Sequence, residues 1–184
     1  MTLTKKNITY VDGYNIINSW PDLNHIKENS LELAREKLID EMAEYASLSN
    51  EKVIVVFDAY NSDGEKENIS EKLGIKIVYT KKFQTADTYI EKMTNKYARR
   101  HNVKVVTDDG QVQSLAFERG ASRITALELR NDLLNKRVKI KRNRKKDFSN
   151  NFKQFPLSEQ IIKKLDDIKK DLEKWMVKVD KFNL

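Results

Sequence analysis

Five aspartates stand where runs of apolar residues give way to polar sequence. Asp12 follows Ile8–Val11, Asp58 follows Val53–Phe57, Asp108 and Asp109 follow Val103–Thr107, and Asp87 lies beyond Ile75–Tyr79, near the start of a helical stretch. Carboxylates gathered at one place repel, and each is pushed toward its protonated form unless a cation sits among them. A hard divalent ion resolves that conflict: Mg2+ or Mn2+ takes carboxylate oxygens and water and keeps positions open for a substrate phosphate. There it lowers the pKa of a bound water and steadies the charge that develops on phosphorus. Hydrolysis of a phosphodiester is the chemistry implied.

Each aspartate taken singly is as readily a turn former or helix cap. Their recurrence at equivalent places is what points to function. Glu91, four residues after Asp87, shares its helix face and is either a supporting carboxylate or part of a solvated stripe. Asn15, three residues after Asp12, can orient a ligand or a water, or be an ordinary loop residue. Tyr14, Trp20 and Tyr60 fall in segments read as loops, where they either stack on bases or pack into the core. His25 and His101 each stand alone, without a second histidine at metal-ligand spacing.

The elements that must position these residues alternate along the chain. Ile8–Val11, Val53–Phe57, Ile75–Tyr79 and Val103–Thr107 read as strands, the second continuous enough to be covered on both faces. Helices are expected from Ser30 to about Ser47, with Leu31, Ala34, Leu38, Met42 and Tyr45 inward, from Thr85 with Ala86, Ile90, Met93 and Tyr97 inward, and through Leu115 to Glu118. A short strand at Ser122–Ile124 and a helix from Thr125 follow. Strand–helix alternation predicts a mostly parallel sheet with helices on both faces. In such a sheet ligands bind beyond the carboxyl ends of the strands, where the aspartates are. The residues around Trp20-Pro21 read as a turn, those before Ile75 as a polar loop, and Asp147–Pro156 as a linker. Ser158–Val179 carries Ile161, Ile162, Leu165, Ile168, Leu172 and Trp175 at helical spacing, which predicts an amphipathic terminal helix.

The chain has 184 residues and 39% hydrophobic content, enough for one core and too much for global disorder. Without cysteine it has neither disulfides nor thiolate zinc sites. The segment MTLTKKNITYVDGYN lacks an apolar leader core, and no window nears the roughly 20 apolar residues of a membrane span, so a cytoplasmic protein is expected. The net charge of +7 is local: Lys136, Arg137, Lys139, Lys141, Arg142, Arg144, Lys145 and Lys146 crowd into eleven positions with no acid, leaving the rest near neutral. A dense cationic segment suits a polyanion, whose condensed counterions it releases. The segment has no aromatic residue, which favours contact with phosphates over bases.

The stretches VDGYNIINSW, VIVVFDA, YTKKFQTADTYIEKM, VVTDDGQVQSLAFERGA and TALELRNDL together resemble the YacP-type NYN-domain proteins, a PIN-like nuclease family, over roughly residues 8 to 140. The Glu173–Trp175 segment is also similar. The resemblance implies a PIN-like three-layer α/β/α fold; with the basic run ending at Lys146, that domain is expected over residues 1–146, with residues 147–184 as linker and terminal helix. It further implies a Mg2+- or Mn2+-dependent endoribonuclease acting on mRNA at the translating ribosome. The family's catalytic acids fall on Asp12, Asp87 and Asp109, with Asn15, Asp58, Glu91 and Asp108 in support. The family's usual Thr-Ser-Asp is Thr107-Asp108-Asp109 here, which leaves Asp108 and Asp109 competing for one role. A non-catalytic RNA- or ribosome-binding module of the same fold is the main alternative. A phosphatase using a second aspartate two residues after the first is disfavoured, since that position is Tyr14.

Overall fold

The computed structural model describes residues 5–58, 66–154, 163–164 and 166–170, with the backbone alone at 111, 115, 117 and 144–154. Its elements are β1 (Asn7–Asp12), α1 (Gly13–Ser19), α2 (Pro21–Asn29), α3 (Leu31–Ser49), β2 (Lys52–Phe57), β3 (Asn68–Lys72), β4 (Ile75–Tyr79), α4 (Ala86–Tyr97), β5 (Asn102–Val106), α5 (Gly110–Glu118), β6 (Ser122–Ile124) and α6 (Ala126–Gln154).

Side chains alternate across a strand, so a strand buried on both faces feeds two cores. Along β2, Val53, Val55 and Phe57 enter one core with α1, α2, α3 and the start of α6, whereas Ile54 and Val56 enter another with α4 and α5. The product is a three-layer α/β/α unit around a six-stranded sheet ordered β3-β4-β2-β1-β5-β6. All pairings are parallel except β3 with β4. From β1 the chain builds outward through β2 and β4, then returns to place β5 on the other side of β1. The strand order therefore reverses between β1 and β5, and the crevice at their carboxyl ends is the expected binding place in such a sheet.

Three stretches differ from the expectation. Residues 13–29 form two helices, not a loop and a turn. Asp12 caps the first, and Pro21 sits at the start of the second, where its missing N–H costs nothing. Asn68–Lys72, expected as loop, is an edge strand with every side chain exposed, joined to β4 by a two-residue turn in which Leu73 and Gly74 both have positive φ. Residues 147–154 continue α6, since neither glycine nor proline occurs before Pro156 to stop it.

Internal packing divides the chain into Met1–Arg137 and Val138–Leu184; the boundary at 146 read from the charge run lies within the second unit. Of the terminal helix expected over Ser158–Val179, residues 163–164 and 166–170 are helical and the others lie outside the described residues. Among the described residues no helix is long and apolar enough to cross a membrane.

Candidate active site

Asp12 ends β1 with the same parity as Ile8 and Tyr10, which pack into the α4–α5 core. Its side chain therefore leans to the α4 side of the sheet. One of its oxygens, Oδ1, accepts the Asn15 N–H at 3.1 Å and caps α1. The Asn15 side chain turns the other way, its Oδ1 accepting the Asp108 N–H at 2.9 Å. Asn15 thus ties the end of β1 to the end of β5, a positioning role.

Asp108 and Asp109, which the sequence left competing, have different surroundings. Both oxygens of Asp108 are engaged: Oδ1 accepts the Ala126 N–H at 2.8 Å at the start of α6, and Oδ2 accepts the Ser19 hydroxyl at 2.6 Å. Asp108 joins α1 to α6. Asp109 accepts the Val112 N–H at 3.3 Å through Oδ1, at the start of α5, and lines a cleft together with Asp87. The register preferred from the resemblance, Asp109, is the one that faces other acids.

α4 carries the central acid. Thr85 caps it by accepting the Thr88 N–H at 3.2 Å, and Asp58 at the end of β2 accepts the Ala86 N–H. Asp87, Glu91 and Thr94 recur at i, i+4 and i+7, and so share one face of α4. That face, with Asp109, Val112, Ala116 and Arg119, bounds a cleft of about 130 Å3. Two buried polar atoms around it lack hydrogen-bond partners, Asp87 Oδ1 and Thr94 Oγ1. Thr94, Ser19 and Arg119 were not singled out in the sequence. Only for Thr94 was there a signal, its spacing from Asp87.

The acids interact. Asp12 is pushed up to about 6, first by burial and then by the charges of Asp87 and Asp58, against the Asn15 hydrogen bond that pulls it down. Asp87 is also raised, by burial and then by Asp109 and Asp58. Asp87 therefore interacts with each of the other three, Asp12, Asp58 and Asp109. Among the described residues, however, no three acidic or histidine side chains are close enough to form a ready-made metal cage. These findings agree for a hard cation. Mg2+ keeps several of its waters and binds through one or two carboxylates, so it needs no closed protein cage. An unpartnered buried carboxylate oxygen is costly, and a cation beside Asp87 would relieve it. The donor set fits Mg2+ or Mn2+.

Of the cationic segment, two members serve the body. Arg137 binds Glu44 at 2.8 Å and also Glu41, while Lys136 pairs with Asp132 at 3.1 Å. Lys139, Lys141 and Arg142 are exposed; Arg144, Lys145 and Lys146 continue α6. At 100° per residue the eight basic positions fall on all sides of the helix. Trp20 is core, its ring 3% exposed and its Nε1 donating to Ala126 O at 2.9 Å. Tyr14 packs edge-on against Phe57. Tyr60 lies outside the described residues.

Comparison with known proteins agrees with this fold. The sequence profile of the YacP-like NYN domain matches residues 9–170. A Bacillus subtilis (strain 168) protein named "Uncharacterized protein YacP" is 37% identical over 174 residues, covering 92% of this chain and 96% of its own. The crystal structure of Rae1 (YacP) from Bacillus subtilis superposes with a TM-score of 0.63 at 34% identity, over 92% of this chain and 94% of that one. The structure of a tryptophan-to-leucine mutant of the same Bacillus subtilis protein superposes with a TM-score of 0.64 at 38% identity, over 78% of this chain and 84% of that one.

Proposed function

The chain belongs to the YacP-like NYN family, whose function is of nuclease type and related to RNA, and on that premise we propose that it is a Mg2+- or Mn2+-dependent endoribonuclease. Its substrate is mRNA on the translating ribosome, in the cytoplasm. The single observation that carries the reading is Asp87: a carboxylate oxygen sealed from solvent, without a hydrogen-bond partner, at the meeting point of three other acids.

Asp12, Asp87 and Asp109 would hold one or two cations, each resting on one or two of these carboxylates, and Glu91 would bind a water of the ion or the attacking water. When bound, the ion supplies an activated water and a counter-charge for the phosphate. Asp58, Asn15 and Asp108 fix the strand ends and helix starts that carry these acids. The exposed Lys139, Lys141 and Arg142, with Arg144, Lys145 and Lys146, would hold RNA by its phosphates, while Lys136 and Arg137 are committed to acids of the body.

The test compares wild type with Asp87→Asn on RNA in Mg2+, Mn2+ or EDTA, using free transcripts and translating ribosomes. Metal-dependent internal cleavage by the wild type, reduced at least about 100-fold in the variant, is expected from loss of a metal-binding carboxylate. Equal cleavage by both ends the assignment. The non-catalytic alternative draws on the absence, among the described residues, of a preassembled three-ligand group and on the capping duty of four of the acids. RNA or ribosome binding without any metal-dependent product decides for it.

A further inference from the structure

Phe83 stands in the turn between β4 and α4, four residues before Asp87, and is 96% exposed, the most open large apolar side chain among the described residues. Its φ is +63°. Two other non-glycine residues share that left-handed backbone, and both have ordinary reasons. Asn50 caps the end of α3, and Leu73 belongs to a two-residue hairpin turn that requires it. Phe83 is the third residue of the β-turn that the Gln84 N–H closes on Lys81 O, a position that takes positive φ but is ordinarily given to glycine or asparagine. A bulky side chain in the left-handed region is strained, and such strain gathers at ligand-binding places.

The turn is also fixed at both ends, so the ring is presented rather than loose. Thr80 N–H donates to Phe57 O at 3.0 Å, Gln84 N–H closes the turn on Lys81 O at 3.0 Å, and Thr85 and Asp58 hold the start of α4. Lys82 Nζ lies 5.5 Å from the ring centroid. The segment Thr80–Gln84 has two lysines and no acid. A strained, solvent-facing ring flanked by cations, at the strand-end lip of an acidic site, matches the two components of single-strand recognition: a stacking face and charges for the backbone.

We propose that Phe83 is a stacking platform for an unpaired base of the RNA strand entering the site, with Lys81 and Lys82 contacting the adjoining phosphates. The proposal rests on the endoribonuclease reading and adds to it a preference for single-stranded RNA.

The experiment measures binding of a short fluorescein-labelled single-stranded oligoribonucleotide, and of the same sequence as a duplex, in EDTA, together with cleavage in Mg2+. Proteins compared are wild type, Phe83→Ala, Phe83→Asn and Phe83→Tyr. Alanine and asparagine are expected to weaken single-strand binding by about 5- to 100-fold, the range for loss of one base–aromatic stack, and to raise KM more than they lower kcat. Tyrosine retains binding. Phe83→Asn is also expected to melt at a higher temperature than wild type, because asparagine tolerates the left-handed backbone, so weaker binding cannot be ascribed to misfolding. If wild type cleaves single-stranded RNA and Phe83→Ala does so with unchanged affinity and KM, the stacking assignment is overturned while the nuclease reading stands. If Phe83→Ala loses ribosome co-sedimentation but not oligonucleotide binding, the ring contacts the ribosome itself rather than the entering strand and the proposal is likewise overturned. A wild type that neither binds nor cleaves RNA overturns the parent reading.

Discussion

Four helix starts take an N–H group onto an aspartate of the strand-end group: α1 onto Asp12, α4 onto Asp58, α5 onto Asp109 and α6 onto Asp108. Cap and catalyst are therefore not exclusive descriptions. A capping carboxylate, held by the dipole in its ionised form, can also face a cation. Asp108 gives both oxygens to Ala126 and Ser19, whereas Asp109 lines the cleft beside Asp87, which is how two adjacent aspartates that look equivalent in sequence separate in space. Asp108→Ala is expected to cost about 1 kcal/mol through the lost cap and to change cleavage by no more than a few-fold. Asp109→Asn should leave the melting temperature nearly unchanged and reduce cleavage by at least about 100-fold, as expected of a metal-binding acid; reversed effects on the two would exchange their roles. Asp12 gives a pH signature. It ionises near 3.8 in the unfolded chain and near 6 in the metal-free fold. Between those values the folded state holds a proton that the unfolded state has shed, so metal-free stability falls as pH rises from about 4 to 6, by roughly 2 kcal/mol, and is level above. Melting temperatures in EDTA across that window should show the fall in wild type and a flatter profile in Asp12→Asn. Mg2+ at neutral pH should restore stability to the former more than to the latter. The acids and their strand ends were legible in sequence because aspartate interrupts an aliphatic run; the division of labour between Asp108 and Asp109 was not, since it depends on Ser19 and Ala126, which approach only after folding.

At the scale of elements, α1 is the piece that sets the site, and its seating depends on Gly13. A β-carbon there would lie 2.3 Å from the Phe57 ring. That ring cannot swing aside, because Tyr79 stacks on it at 5.5 Å and Tyr14 meets its edge at 5.2 Å. Gly13→Ala is therefore expected to cost about 1–3 kcal/mol as overpacking, lowering the melting temperature by roughly 2–4 °C for each of those kcal/mol in a chain of this size. It should also cut cleavage, because α1 carries Asn15, the tie between β1 and β5. Thermal melts and cleavage on the same preparations check both, and an unperturbed variant would mean that Phe57 relaxes freely. The same region shows which elements a sequence discloses. β1, β2, β4 and β5 are near-continuous aliphatic runs whose burial on two faces leaves an unmistakable pattern. α1 and α2 are too short for a full apolar stripe, and their signals were the caps: Asp12 before one, Pro21 at the head of the other. β3 has one apolar residue in five, so its pattern is that of a loop. It exists because the Leu73-Gly74 turn folds it back onto the exposed edge of β4.

Over the whole molecule, charge is segregated by task. The first unit gathers acids at the point where the strand order reverses, and the second carries the exposed cations of α6. Binding and chemistry should accordingly respond to different substitutions. Each phosphate contact with a single strand contributes about 0.7 to the dependence of log K on log salt concentration. Replacing Lys139, Lys141 and Arg142 together by glutamine should then lower that slope by about 2 and weaken RNA binding most at low salt, while cleavage at saturating RNA stays near wild type. Arg137→Gln lies in the same basic run but should behave otherwise. Its guanidinium answers Glu41 and Glu44 on α3, so its loss leaves two carboxylates facing each other and lowers thermal stability with little change in the salt slope. Fluorescence anisotropy titrations over a range of KCl, paired with melting curves, separate the two. Should Arg137→Gln lower the slope as much as the triple variant does per charge removed, the run would act as one RNA-binding surface, and its ion pairs with α3 would have to open on binding.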